Sequence, residues 1–184
     1  MPLSTLGMAL TSVNVDVSGE LSRLCDLDWL TGQAVEEVLA ASGWEGERRN
    51  PAKDWATTWK RKDAGAWIQG DRPVEVEFTL WFREVADEWP DPDTYLDDLY
   101  DTAAAELPGV VSQLESGVLG ARLEVCDEDL TGGRDFIDHA AWRVSGKVLL
   151  AGVKHDDTEV PVQLVVVLRE YGTSAPSSHA ANQR

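Results

Sequence analysis

Positive charge is scarce in this chain of 184 residues: 16 Lys and Arg stand against 33 Asp and Glu, a formal net charge of −17. A surface able to displace the counterions of a phosphate backbone is therefore missing, which argues against nucleic-acid binding. The same deficit argues against an anionic membrane surface. No run of 18 apolar residues occurs, so no membrane-spanning helix is predicted. The two cysteines, Cys25 and Cys126, are too few and too far apart for a disulfide framework or a zinc knuckle, and read as reduced thiols. The first 17 residues hold no Lys or Arg, so they lack the n-region of a secretory signal; Met8 competes with Met1 as the start, and a cytoplasmic location is expected. Catalytic signatures are missing as well. There is no G-x-S-x-G, no H-E-x-x-H, no P-loop and no GxGxxG after a strand. Of the three histidines, His139 beside Asp138 comes nearest to a general-base pair, but a lone strand histidine is more often structural. The reading is of a protein that is not an enzyme and carries no cofactor and no metal.

What is present suffices for a core. Hydrophobic residues make up 43% of the chain, and a domain of this size buries roughly 70% of its unfolded surface. Residues 1–17 read as a weakly ordered leader or an edge strand, from the alternation of Val13, Val15 and Val17. Residues 18–171 read as one α+β domain, and 172–184 as a disordered Ser/Ala/Pro-rich tail. Ser18 is a candidate cap of a short helix carrying Leu21, Leu24 and Cys25. Thr31 is a candidate N-cap and Gly43 a candidate stop for a helix over 31–42. The period then becomes two. Strands are predicted in 54–70 and most clearly in 73–83, where Val74, Val76, Phe78, Leu80 and Phe82 share one face and Glu75, Glu77, Thr79, Trp81 and Arg83 the other. A helix capped by Asp91 with Pro92 in its first turn is predicted to stop at Pro108, where a second begins that turns Val118 inward. Strands are predicted for 121–126, for 140–153 as one long element, and for the valine-rich 160–171, which reads as central and buried on both sides. The expected fold is a single domain, an antiparallel sheet covered by two or three helices.

Three constellations bear on function. From Glu84 to Ala121 there are ten acidic residues and no Lys, Arg or His. On the predicted helix Asp97, Asp98 and Asp101 lie opposite the apolar stripe, and like charges at that spacing repel by a few tenths of a kcal/mol per pair. A solvated face or a site for a cationic partner both account for it. Asp91, Asp93, Asp97, Asp98 and Asp101, with Trp81 on the polar strand face and Trp89 in the acidic connection, are the candidate partner-binding residues. Conversely, Arg48, Arg49, Lys53, Lys60, Arg61 and Lys62 gather around Trp55 and Trp59; cross-strand pairing with acids, or a partner contact, is favoured over the single-stranded nucleic-acid binding that basic and aromatic residues together can mean, because the net charge opposes it. Asp127, Asp129, Thr131, Gly132, Asp135 and Asp138 take the spacing of a calcium loop, with Asp in place of the final Glu and strand flanks in place of helices; a Gly-Gly connection explains them equally well.

The segments LDWLTGQAVEEVLAASGW and VEVEFTLWF resemble small, acidic, Trp-rich actinobacterial α+β proteins of the toxin-immunity type, over residues 20–170. The resemblance transfers no functional residue. It implies a cytoplasmic inhibitor of a basic toxin, with nucleases as the natural class because an acidic protein can occupy a phosphate-binding site. The alternative is a non-catalytic binding module: a secretion chaperone, an accessory subunit or a small-ligand domain.

Overall fold

The computed structural model describes residues 15–83, 92–156 and 161–172; for Arg83, Pro92 and Asp93 it describes the backbone alone. The expected leader with Met8 and Val13, the connection with Trp89 and Asp91, and the tail beyond 172 lie outside the described residues. Within them the chain is α+β: three helices on one face of a seven-stranded antiparallel sheet.

Helix α1 (Ser18–Cys25) begins at Ser18 itself, so the cap lies one residue earlier than expected: Val17 is the N-cap, and Asp16 accepts the Ser18 amide at 2.8 Å. Val15 and Val17 form no strand; both are buried against the helices. Helix α2 (Gly32–Ala41) starts as predicted. Thr31 accepts the Ala34 amide at 3.3 Å, satisfying an otherwise orphan donor, and Gly43 turns the chain at φ +83°. Gly32 is obligatory for packing: a Cβ there would lie 2.1 Å from the Trp55 ring.

Strands β1 (Glu45–Glu47), β2 (Thr58–Arg61), β3 (Ala64–Gly70) and β4 (Val74–Arg83) form a meander. Helix α3 (Pro92–Ser116) follows, then β5 (Asp138–Val144), β6 (Lys147–Lys154) and β7 (Val162–Glu170). The strand order is β1-β2-β3-β4-β7-β6-β5, so β7 joins the two halves and is buried on both faces, as its valine run predicted. Helix α3 is one helix, not two. Pro108 lies inside it on the exposed side, where its helical φ fits and the carbonyl left without a donor is nearer water. Val118 falls beyond the helix end and is exposed. The predicted strand over 121–126 is a 3-10 turn (Gly120–Arg122) followed by one isolated bridge from Glu124 to Arg143. The long strand over 140–153 is a hairpin. Ser145 and Gly146 both have positive φ, +51° and +75°, the primed turn whose twist suits two antiparallel strands.

The inner face carries the main core. Val74, Val76 and Phe78 of β4, Leu164, Val166 and Leu168 of β7, and Leu149, Ala151 and Val153 of β6 meet Leu21 and Leu24 of α1, Leu39 of α2, and Ala103, Leu107 and Leu114 of α3. Fully burying one such side chain contributes about 1.5–3 kcal/mol. The outer face carries a smaller cluster, in which Val148, Leu150, Val165 and Val167 lie under Leu130 and Phe136 of the segment 124–137.

The alternation in β4 does not run through. A β-bulge between Thr79 and Trp81 shifts its register against β7. An extra residue reverses the sidedness of everything beyond it. Trp81 therefore turns inward, opposite Leu164, and is 6% exposed, while Phe82 turns outward and is 51% exposed.

Candidate functional site

Asp97, Asp98 and Asp101 are all exposed, on the side of α3 away from buried Leu99, Ala103 and Leu107. Among the described residues none of them, nor Glu106 or Glu115, enters an ion pair. Asp93 belongs to the first turn of the same helix by its backbone, whereas Asp91 and Trp89 lie outside the described residues. Trp81 departs from the expected site. Buried beneath the helices, it is core and offers no exposed anchor on the polar face.

The basic segment is spent internally. Arg48 pairs with Asp54, Arg49 with Glu47, and Lys53 with Asp71 at 2.5 Å. Arg61 reaches Glu20 at 2.5 Å, donates to the Ser42 carbonyl, and lies over the Trp44 ring, locking α1 to β2. Pairing with acids inside the molecule accounts for most of this segment, but through loops and to α1, not across strands as expected.

The calcium-like spacing folds otherwise. Asp129 Oδ1 accepts from both the amide and the hydroxyl of Thr131, at 3.0 and 2.7 Å, which holds its carboxyl below the usual range. Among the described residues no three His, Cys, Asp or Glu side chains converge to hold a metal. Cys25 is buried; loss of solvation pushes its thiol up to about 11, the reverse of a reactive cysteine. His155 meets Tyr100, Nδ1 to hydroxyl 2.7 Å, fastening the end of β6 to α3.

A second site was not expected. Glu75 and Glu77 lie two apart on β4, so both carboxylates point to the outer face, where a solvated surface was anticipated. They are instead 3% and 4% exposed. Three cations converge on them from different elements. Arg134 of the covering segment contacts both, meeting Glu75 Oε1 and lying 3.7 Å from Glu77. Lys154 of β6 reaches Glu77 at 2.6 Å. Arg169 of β7 donates to the Leu130 carbonyl at 2.7 Å and faces Glu75; burial lowers its pKa while Glu75 opposes that shift. Gln69 of β3 also donates to Glu77, at 3.2 Å. Glu75 Oε2 is buried and has no hydrogen-bond partner among the described residues. Burial raises the Glu75 carboxyl above its ordinary value; Arg134 partly offsets this and Glu77 adds to it. Trp67, opposite Glu77 on β3, is 52% exposed at the border of the cluster.

The sequence held one clue to this cluster, two glutamates on alternate positions of a strong strand. Nothing local tells a solvated alternation from one covered by a segment nearly 60 residues later in the chain, such as Arg134 at a separation of 59 from Glu75. No known protein family, no curated protein and no solved structure matches the chain.

Proposed function

We propose that the protein is a non-catalytic acidic binding protein that docks the exposed face of α3 onto the cationic surface of a protein partner. The partner class we propose is a basic toxin, with a nuclease as the favoured case, neutralised in the cytoplasm of the cell that makes the inhibitor. One observation carries the reading: Asp97, Asp98 and Asp101 are exposed together and enter no ion pair among the described residues, while the bases at 48–62 are largely paired within the molecule. The helix thus presents a local run of negative charge, which accelerates encounter with a positive surface. Stability does not favour the arrangement, because neighbouring like charges on a helix repel.

The test is kinetic. With Asp97, Asp98 and Asp101 all changed to Lys, association with the partner is expected to slow at least tenfold, within the range of electrostatic steering. The wild-type on-rate is expected to fall with salt, because screening acts over about 8–10 Å at physiological ionic strength. On-rates that ignore both the triple reversal and the salt would leave α3 a solubility face. The outer-face cluster favours a second reading, a ligand-binding α+β domain, because buried carboxylates beside an exposed tryptophan make a polar recognition surface.

A further inference from the structure

The outer-face cluster does not satisfy both of its carboxylates. Glu77 accepts from Gln69 and is paired with Lys154 and Arg134. Glu75 meets Arg134 through Oε1, whereas its Oε2, equally buried, has no donor among the described residues. Arg134 follows Gly132 and Gly133, both with positive φ, +65° and +83°. That pair turns the chain sharply, and the next side chain crosses to the sheet. The covering segment does not hang on this arm. Arg169 donates to the Leu130 carbonyl at 2.7 Å, Tyr171 to Glu128 at 2.7 Å, and the Ile137 amide to the Val153 carbonyl at 2.9 Å.

We propose that Glu75, Glu77 and Trp67 form a receptor site for an alkyl-guanidinium group, and that Arg134 is its built-in occupant, which an external guanidinium replaces. Two carboxylates on one strand face match the planar fork of a guanidinium, which offers several donors at fixed angles. Glu75 Oε2 lacks the donor that a second N–H of a differently placed guanidinium would supply. The exposed indole of Trp67 adds a π face of the kind that binds delocalised cations. A purely structural role would be met as well or better by apolar residues at positions 75 and 77, because two buried carboxylates carry a desolvation cost that apolar side chains lack. The raised Glu75 carboxyl agrees: the resident cations compensate it incompletely. This site lies on the sheet face opposite α3, so it is independent of the α3 docking reading and rests on the second, ligand-binding one, to which it gives a ligand class.

The experiment is a titration of the full chain and of Arg134→Ala with ethylguanidinium chloride, followed by tryptophan fluorescence and melting temperature, with uncharged urea at equal concentration as the control. Arg134→Ala is expected to bind at least tenfold more tightly than the wild type and to regain melting temperature on binding. Arg134→Ala with Glu75→Gln is expected to lose both effects, and Trp67→Ala in the Arg134→Ala background to weaken binding severalfold. Arg134→Gln, which keeps the stem, is measured in parallel so that poor folding of the alanine variant leaves the test intact. Replacing ethylguanidinium by an acetylated arginine amide separates the sources: tighter binding assigns the site to an arginine side chain of a polypeptide, equal binding to a free guanidine. If neither Arg134 variant binds ethylguanidinium more tightly than the wild type, or if adding Glu75→Gln changes nothing, the proposal is overturned.

Discussion

The two faces of the sheet use the same strands for opposite purposes. On β7, Leu164, Val166 and Leu168 face the helices while Val165, Val167 and Arg169 face the covering segment, and all six are buried. The inner face is hydrocarbon over most of its area. One charged pair on it, Lys147 and Glu170, sits at the strand ends, 3.5 Å apart, where Lys147 donates to the Leu27 carbonyl and Glu170 accepts the Leu30 amide. The outer face is apolar in a thin patch and charged beside it. Apolar burial needs no particular geometry, so the inner face fixes the fold; the outer face is specific because each of its charges must find a partner.

The largest expected effect breaks the inner pair. Glu170→Ala strands a Lys147 that is 2% exposed and frees a buried amide that holds the α1–α2 connection to the sheet. Removing one partner of a buried pair costs about 3–5 kcal/mol. Urea unfolding should report that loss with an unchanged slope; a loss below about 1 kcal/mol would mean that water reaches the pair.

Next comes a matched comparison on β6. Leu149 faces the helices and its neighbour Leu150 faces the covering segment, and both are wholly buried. Truncation of a buried leucine to alanine costs about 2–5 kcal/mol, depending on how far the site collapses around the cavity. Leu149→Ala should fall in the upper part of that range, between sheet and helices. Leu150→Ala should fall in the lower part, because a single irregular segment can settle onto the void. Equal losses in urea unfolding would make the outer layer as rigid as the inner one.

Periodicity made the inner face legible. Val74, Val76 and Phe78, the α3 stripe and the valine run of β7 were all readable because their spacing repeats over several residues. The failures have local or distant causes. The bulge at Thr79 and Trp81 inserts one residue with no glycine or proline to mark it, and it exchanges the roles of Trp81 and Phe82. The Ser145–Gly146 turn carries a local signal, a two-residue turn dipeptide between apolar runs, but the alternation on either side of it reads as one long strand. The outer-face site depends on Arg134 and Lys154 meeting β4 from far along the chain, and no single segment encodes that meeting. Of the α3 face, exposure could be read from the helical period, whereas the partner is not encoded in the helix itself.

A smaller effect tests the outer face by pH. The Glu75 carboxyl lies above its ordinary value of 4.5 in the folded protein, chiefly because it is buried. The folded state therefore holds that proton more tightly than the unfolded chain does. The stability tied to this group is present at low pH and is lost as pH rises through the raised value. Glu75→Gln keeps an acceptor for Arg134 and is neutral at every pH. It should be at least as stable as the wild type at pH 7, with any advantage shrinking as the pH falls toward the ordinary carboxylate range. Denaturant midpoints of both proteins at pH 7 and pH 5 decide it; a variant that loses more at pH 7 than at pH 5 would mean that Arg134 overcompensates the charge.

The smallest effect concerns acids that outnumber that buried pair. Asp97, Asp98 and Asp101 are exposed, enter no ion pair among the described residues, and stand in high-dielectric surroundings. Changing all three to Asn removes repulsion between Asp97 and Asp101, four apart, and between Asp98 and Asp101, three apart, at a few tenths of a kcal/mol per pair. Asn and Asp have similar helix propensities, so little opposes that gain. The triple Asn variant should therefore be slightly more stable, by less than about 0.5 kcal/mol, and the gain should vanish in high salt as screening removes the repulsion it relieves. Two carboxylates on β4 can thus shift stability more than three on α3, because the medium around a charge, and not the number of charges, sets its energetic weight. A loss of stability in the triple Asn variant would mean that these aspartates are bound within the fold, and the helix would no longer be the face offered to a partner.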